Sequence, residues 1–302
     1  MNIDYSSKIK FLPFYLLSIL PMPVLYLLSD AVFVLIYYII GYRKKVVMKN
    51  IRGSFPTKNG EEIKRISKDF YRHFCDTIFE SIKRLTIGTN AIRKRLRIKN
   101  PELLESFIND RRNILFYTAH QGNWEWLTFM PIFFPYPSNT FFSPLKNKYF
   151  NELSQLMRER FGIRCVPSSK GYRTIIEGTR ADTLTMNCII GDQSPHAQSS
   201  LHWCHFLNRE TAFFTGAEKI AKKTNPVVLF PYFKKVKRGY YELEFQLIHA
   251  NPQELGPMEI VERYAKQLES AILRSPNLWL WSHNRWKLNE KIERDPNIKK
   301  SA

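Results

Sequence analysis

Ile114-Leu115-Phe116-Tyr117-Thr118-Ala119 is a short apolar run closed by His120-Gln121-Gly122-Asn123. Bounded in this way, it reads as a buried strand rather than a helix. Gln121 to Asn123 break the run, and Trp124 to Phe129 read as the start of a helix that stops near Pro131. His120 therefore sits where a strand ends and a turn begins, the rim at which open α/β sheets bind ligands. Glu125 stands five residues on, in the first helical turn. From there it is expected to fold back across the turn toward the imidazole. A carboxylate on one ring nitrogen fixes the tautomer and leaves the other nitrogen free to take a proton. That arrangement suits removal of a proton from a hydroxyl or amine attacking an acyl carbon. His-x4-Glu alone arises often by chance; the order strand, His, Gly, Asn, then an acid opening a helix gives it weight.

From Asn113 onward, runs of strand and helix character alternate. Strands are expected at residues 114–119, 140–143, 163–166, 184–190, 227–232 and 240–248, and helices at 148–161, 172–180, 212–222 and 258–273. That alternation argues for an α/β sheet covered by helices. Asp192 repeats the setting of His120, because the apolar run Leu184 to Ile190 ends at Gly191 and a polar Asp-Gln-Ser-Pro group follows. Upstream, residues 61–83 read as an amphipathic helix with Ile63, Ile66, Phe70, Phe74, Ile78 and Ile82 as its apolar stripe. Its other face carries Lys64, Arg65, Lys68, Arg72 and Lys83.

Phe11 to Ile40 is the most apolar region, interrupted by Pro13, Pro21, Pro23 and Ser29-Asp30. It is too long and too broken for a cleavable secretory signal. Asp30 at mid-bilayer would cost about 3 kcal/mol, so a hairpin or re-entrant anchor competes with one tilted span. Arg43-Lys44-Lys45, then Lys49 and Arg52, place the following chain on the cytoplasmic side. The expected division is a membrane anchor over residues 1–45, dispensable for folding, and a catalytic domain over 46–302. The formal charge of +19, from 46 basic and 27 acidic residues, calls for an anionic partner. Scattered basic residues in apolar surroundings, with no zinc spacing or helix-turn-helix signature, disfavour nucleic acid and favour an anionic membrane or an acidic carrier protein.

Cys75, Cys165, Cys188 and Cys204 lie far apart and read as reduced thiols, not a disulfide framework. His196, His202, Cys204 and His205 match no zinc spacing, so no metal is expected. Arg158 and Arg160 close the 148–161 helix; the macrodipole favours cations there, and a guanidinium also offers a fork for phosphate. The aromatic run Trp279-Leu280-Trp281-Ser282-His283-Asn284-Arg285-Trp286, with its basic tail, suits a bilayer surface, and Arg285 is placed to stack on a tryptophan. His283 is the rival base, but lacks an acid at short spacing.

His120-Gln121-Gly122-Asn123-Trp124-Glu125 resembles the first motif of the bacterial lipid A biosynthesis (lauroyl/myristoyl) acyltransferase family. The resemblance continues through Pro144-Leu145-Lys146-Asn147, Arg158-Glu159-Arg160-Phe161-Gly162, Gly191-Asp192-Gln193 and the tryptophan-rich stretch, in the family's order and over nearly the whole chain. One departure is Ser143, where the family pattern carries a basic residue before Pro144. The resemblance implies a glycerolipid-acyltransferase-like mixed sheet flanked by helices, behind an N-terminal apolar anchor. It implies a bacterial inner-membrane enzyme, its catalytic domain facing the cytoplasm, that moves a fatty acyl chain from an acyl carrier protein or coenzyme A thioester to a glycolipid hydroxyl. His120 and Glu125 are then the catalytic candidates, and Asn123, Lys146, Arg158 and Asp192 the substrate-binding ones. No cofactor beyond the donor thioester is required, and a monomer is expected. The competing readings are acylation of a phospholipid or amino-acid lipid, a non-catalytic membrane-tethered lipid-binding protein, and a serine hydrolase. For the last, no Gly-x-Ser-x-Gly elbow is present.

Overall fold

A computed structural model describes residues 9–196 and 199–294. In it the apolar runs become β1 (Leu96–Ile98), β2 (Ile114–Thr118), β3 (Ser138–Phe142), β4 (Ile163–Pro167), β5 (Met186–Ile190), β6 (Leu201–Phe206), β7 (Arg209–Phe214), β8 (Val227–Lys237) and β9 (Tyr240–His249). Seven form one mixed sheet in the order β1-β9-β8-β2-β5-β3-β4. Only the β8–β9 pair is antiparallel; the others run parallel. All five residues of the central β2 are buried, as a parallel strand covered on both faces requires. Alternate side chains point to opposite faces. Leu115 and Tyr117 join the core with Tyr264 and Leu268 of the Glu259–Arg274 helix, while Ile114 and Phe116 join Trp126, Phe129 and Phe245 on the other side.

The α/β expectation holds, and the strands at 114, 163 and 227 begin where the sequence places them. β6 and β7 are not among the expected strands: they form a separate antiparallel hairpin. Its two-residue turn is Leu207-Asn208, both with positive φ. A turn of this kind is ordinarily signalled by Asn-Gly or Asp-Gly, so Leu-Asn hides it, and the predicted helix at 212 starts instead at Gly216.

The Gly60–Lys83 helix opens with a capping box: the Asn59 side chain accepts from the Glu61 and Glu62 amides, and Glu62 accepts from the Asn59 amide. Its burial is wider than one stripe. Ile63, Ile66 and Phe70 are buried as the periodicity predicts, but so are His73, Asp76 and Glu80. The reason is that the helix is covered on two sides: His73 and Glu80 face Gly122, Asn123 and Tyr241 of the sheet layer, and a second layer lies against Asp76 and Glu80. The Leu12–Ile19 and Met22–Val34 helices, the latter running on into a π-turn at Leu35–Ile39, pack along the helix and bury Leu25, Ser29, Phe33 and Tyr37. Polar groups cross this contact: Ser29 donates to Asp76 (2.8 Å) and the Tyr26 hydroxyl to Glu80 (3.0 Å). Arg238, from the β8–β9 turn, bridges Asp30 and Asp76, 2.7 Å from each. The N-terminal segment is thus part of the packed body.

Candidate functional site

The register of two strands builds the site. β2 and β5 pair in parallel with Thr118 opposite Ile190, so the residues two steps beyond each strand end, His120 and Asp192, emerge side by side. The Gly191 amide extends the pairing to the Thr118 carbonyl (3.0 Å). Gly191 is needed here: a Cβ would come within 2.3 Å of the Tyr117 ring, which stacks on Tyr264 at 3.7 Å. Asp192 Oδ1 lies 2.8 Å from His120 Nδ1, while Asp192 Oδ2 accepts from the His120 amide (3.1 Å) and the Trp279 indole (2.8 Å). Burial raises the pKa of the Asp192 carboxyl, but the electrostatic interaction with His120 and these hydrogen bonds outweigh it and hold the group below the ordinary carboxylate value. An ionised Asp192 makes Nδ1 the protonated ring nitrogen and leaves Nε2 as the acceptor. Gln193 Nε2 lies 3.4 Å from that nitrogen, and Trp124 presses edge-on against the ring at 5.0 Å.

Glu125 does not turn back to the imidazole. The segment Trp124–Phe129 is a 3₁₀ helix, and its carboxylate is held from the other side. Arg158 donates Nε and Nη2 to it at 3.0 and 2.5 Å, and Arg84 Nη1 lies 2.9 Å away. Burial would raise the Glu125 pKa, but the charges and hydrogen bonds of Arg158 and Arg84 hold it well below the carboxylate range. The fork of Arg158, read as a phosphate receptor, is therefore engaged by this acid. Arg160 donates to the Arg84 and Ile87 carbonyls at 2.6 Å each, a contact that fastens its helix to the body.

The other candidates separate by depth. Asn123 is fully buried and donates to Glu80 Oε2 (2.5 Å), which also accepts from the Tyr241 hydroxyl (2.9 Å). Gly122 has φ +62°, and a Cβ there would meet Phe233 at 2.2 Å; its carbonyl lies 3.0 Å from His73 Nε2. The turn after His120 is thus gripped from below by the Gly60–Lys83 helix. Lys146 lies in the exposed segment before the Lys148–Glu159 helix. His283 accepts from the Ser194 amide (3.0 Å), and burial pushes its imidazole down to about 4. The tryptophans read as interfacial belong to the core: Trp279 is 3% exposed, Trp281 0% and Trp286 3%. Arg285 is buried too, donating to the Ala212 carbonyl (2.6 Å) and lying over Phe213, not over a tryptophan. Residues 295–302 of the basic tail lie outside the described residues. His202 is bonded to Glu262 at 3.0 Å, and the β6 pleat turns His205 away from Cys204.

A cavity of about 640 Å³ opens beside His120, within the range of small-molecule sites. His120 and Gln193 line one part and Glu125 and Arg158 a wall; Cys188 and Ile163 are buried lining, while Ser143 and Leu145 are exposed at its mouth. The arrangement offers a base with a fixed tautomer at the edge of a largely apolar chamber. Sequence reasoning named His120 and Asp192 but not their pairing, for which the shared position beyond two apolar runs was the available signal. Arg84 carries no such signal, since an arginine closing a helix reads as a complement to the macrodipole. The sequence pattern of the bacterial lipid A biosynthesis acyltransferases matches residues 9–288, and no curated individual protein matches the chain.

Proposed function

Because the chain belongs to the bacterial lipid A biosynthesis acyltransferase family, we propose that it transfers a fatty acyl chain from an acyl carrier protein or coenzyme A thioester to a hydroxyl of a lipid A precursor. In this reading it works at the cytoplasmic face of the bacterial inner membrane and needs no cofactor beyond the donor. The observation that carries the proposal is the His120–Asp192 pair opening on a cavity lined by apolar side chains such as Phe141, Phe142 and Ile190 together with polar ones. His120 Nε2 takes the proton of the acceptor hydroxyl as its oxygen attacks the thioester carbonyl carbon. Asp192 keeps the ring oriented and stabilises the imidazolium. As the tetrahedral intermediate collapses, the carbon–sulfur bond breaks and the departing thiolate takes the proton from His120. The products are an ester and a free thiol, with no acyl-enzyme between them. Gln193 stands beside the reacting nitrogen, where its amide can donate to the developing oxyanion.

Glu125 and Arg158 then serve as a wall. Their pairing fixes a guanidinium beside the chamber, and Arg84 leaves the group of three with a net positive charge facing the thioester or the acceptor's phosphate. Lys146 stands outside, suited to a headgroup or carrier. The test is thioester release with purified full-length protein, with and without a lipid A precursor. Acceptor-dependent release and a mass gain on the lipid are expected, with His120→Ala and Asp192→Asn each losing about 10²- to 10⁴-fold. Thiol release that ignores the acceptor would indicate hydrolysis instead.

A further inference from the structure

The helical stretch Met22–Ile39 is long and apolar enough to cross a membrane, and only 28% of it is buried. Its buried face is not apolar throughout. Buried Ser29 bonds to Asp76 and half-buried Tyr26 to Glu80, while Asp30, exposed at the margin of that face, bonds to Arg238, and Lys235 Nζ lies 3.2 Å from Asp76. Eighteen helical residues span about 27 Å, close to the hydrocarbon thickness of about 30 Å. Were this helix to cross the bilayer, those charged groups and the β8–β9 turn that carries Arg238 would sit deep in hydrocarbon. Irregular, charged backbone of that kind is excluded from a lipid-exposed position there. The Leu12–Ile19 helix, at eight residues, is too short to cross at all.

The opposite face is apolar and open. Leu16 is 58% exposed, Ile19 66%, Leu27 69% and Ile39 73%. Cations stand at its margin, against aromatic rings: Lys44 over Tyr37, Arg72 over Phe33 and Lys68 over Tyr38. Just beyond, Arg43, Lys45, Lys49 and Arg52 ring a shallow depression. An apolar face edged with cations matches the boundary between acyl chains and anionic headgroups. At its other end, Phe14 meets Phe150 edge-on at 6.2 Å, and Tyr149 donates to the Lys10 carbonyl (3.0 Å). Phe150 and Leu145 are themselves exposed, and Leu145 lines the cavity mouth.

We propose that residues 12–40 lie along an anionic bilayer rather than across it, and that Leu145 and Phe150 extend this membrane-seated face, so that the His120 cavity opens onto the lipid surface. An acyl chain or lipid acceptor then reaches the base without leaving the bilayer. The proposal rests on the membrane setting proposed above, and depth measurements separate the two. Full-length Leu27→Cys and Leu145→Cys proteins, each labelled with an environment-sensitive fluorophore, are reconstituted into phosphatidylethanolamine–phosphatidylglycerol vesicles; wild type taken through the same labelling is the blank. Nitroxide lipids labelled near the glycerol backbone or at the chain terminus then quench the probe. Loss of fluorescence at both positions is expected to be greatest with the shallow nitroxide. Greatest loss at position 27 with the deep nitroxide would mean that the helix spans. No loss at position 145 would detach the cavity mouth from the membrane. Protein that floats with vesicles but shows no quenching at 27 would have that face covered by protein, such as a second copy, and the seat proposed here would be wrong. Failure to float with any vesicle would overturn the membrane setting itself. Replacing phosphatidylglycerol with phosphatidylcholine should weaken vesicle binding; unchanged binding would remove the anionic headgroups from the proposal.

Discussion

At the scale of single residues, the least expected arrangement is the carboxylate of Glu125 held between two guanidiniums, one of them 2% exposed. Removing one partner from a buried charge group costs about 3–5 kcal/mol, because the charges left behind are uncompensated. Glu125→Gln is therefore expected to lower stability by that order, seen as a reduced denaturation midpoint in urea. The His120–Asp192 contact does not depend on it, so turnover of the folded fraction should fall far less than in His120→Ala, by what a loosened Arg158 contributes. Turnover that collapses while the midpoint stays put would return Glu125 to the service of the imidazole, as its spacing in the sequence suggests. The spacing misleads for a local reason: five residues across a strand-to-3₁₀ turn point the side chain to the Lys148–Glu159 helix, where Arg158 waits.

At the scale of elements, the Gly60–Lys83 helix holds two titrating groups directly beneath the turn that follows His120. Burial, with the Lys235 charge adding to it, pushes His73 down to about 3. Its folded value lies below its ordinary one, so the unfolded chain binds a proton that the native state refuses. The stability it contributes is full above about 6.5 and drains away as the pH falls. Glu80 acts oppositely. Burial pushes its carboxyl up to about 7, so the native state keeps a proton that the unfolded chain releases above about 4.5, and its contribution fades as the pH rises through that window. The two partly cancel on mild acidification. Urea midpoints at about pH 7.5 and 5.5 should show a steeper acid loss in Glu80→Gln than in wild type and a shallower one in His73→Gln. This helix also shows what the sequence could and could not convey. Ile63, Ile66 and Phe70 announce one buried stripe through their periodicity, and the capping residues announce its start. His73, Asp76 and Glu80 announce nothing, because the groups that satisfy them, such as Tyr26, Arg238 and Tyr241, lie far away in the chain. The central strands are legible because they are buried on both faces; β6 and β7, only partly buried and joined by Leu207-Asn208, are not.

At the scale of the whole molecule, the first 45 residues are expected to be needed for folding, contrary to a detachable tether. Their removal strips Ser29 and Tyr26 from Asp76 and Glu80 and uncovers Phe79. A chain starting near residue 46 should be insoluble or lack a cooperative thermal transition by circular dichroism; a soluble monomer melting like the full chain would refute this.

The pairing of β2 with β5 has a kinetic side. His120 and Asp192 are brought together by a parallel register spanning β3, β4 and the helices between them. Contacts of such sequence separation require loop closure before they return any stabilisation, and parallel sheets form slowly. His120 acquires its partner only when that closure is complete. Recovered turnover during refolding should thus lag helix formation, and a nascent chain emerging from the ribosome holds no His120–Asp192 pair until the chain just beyond β5 has been made.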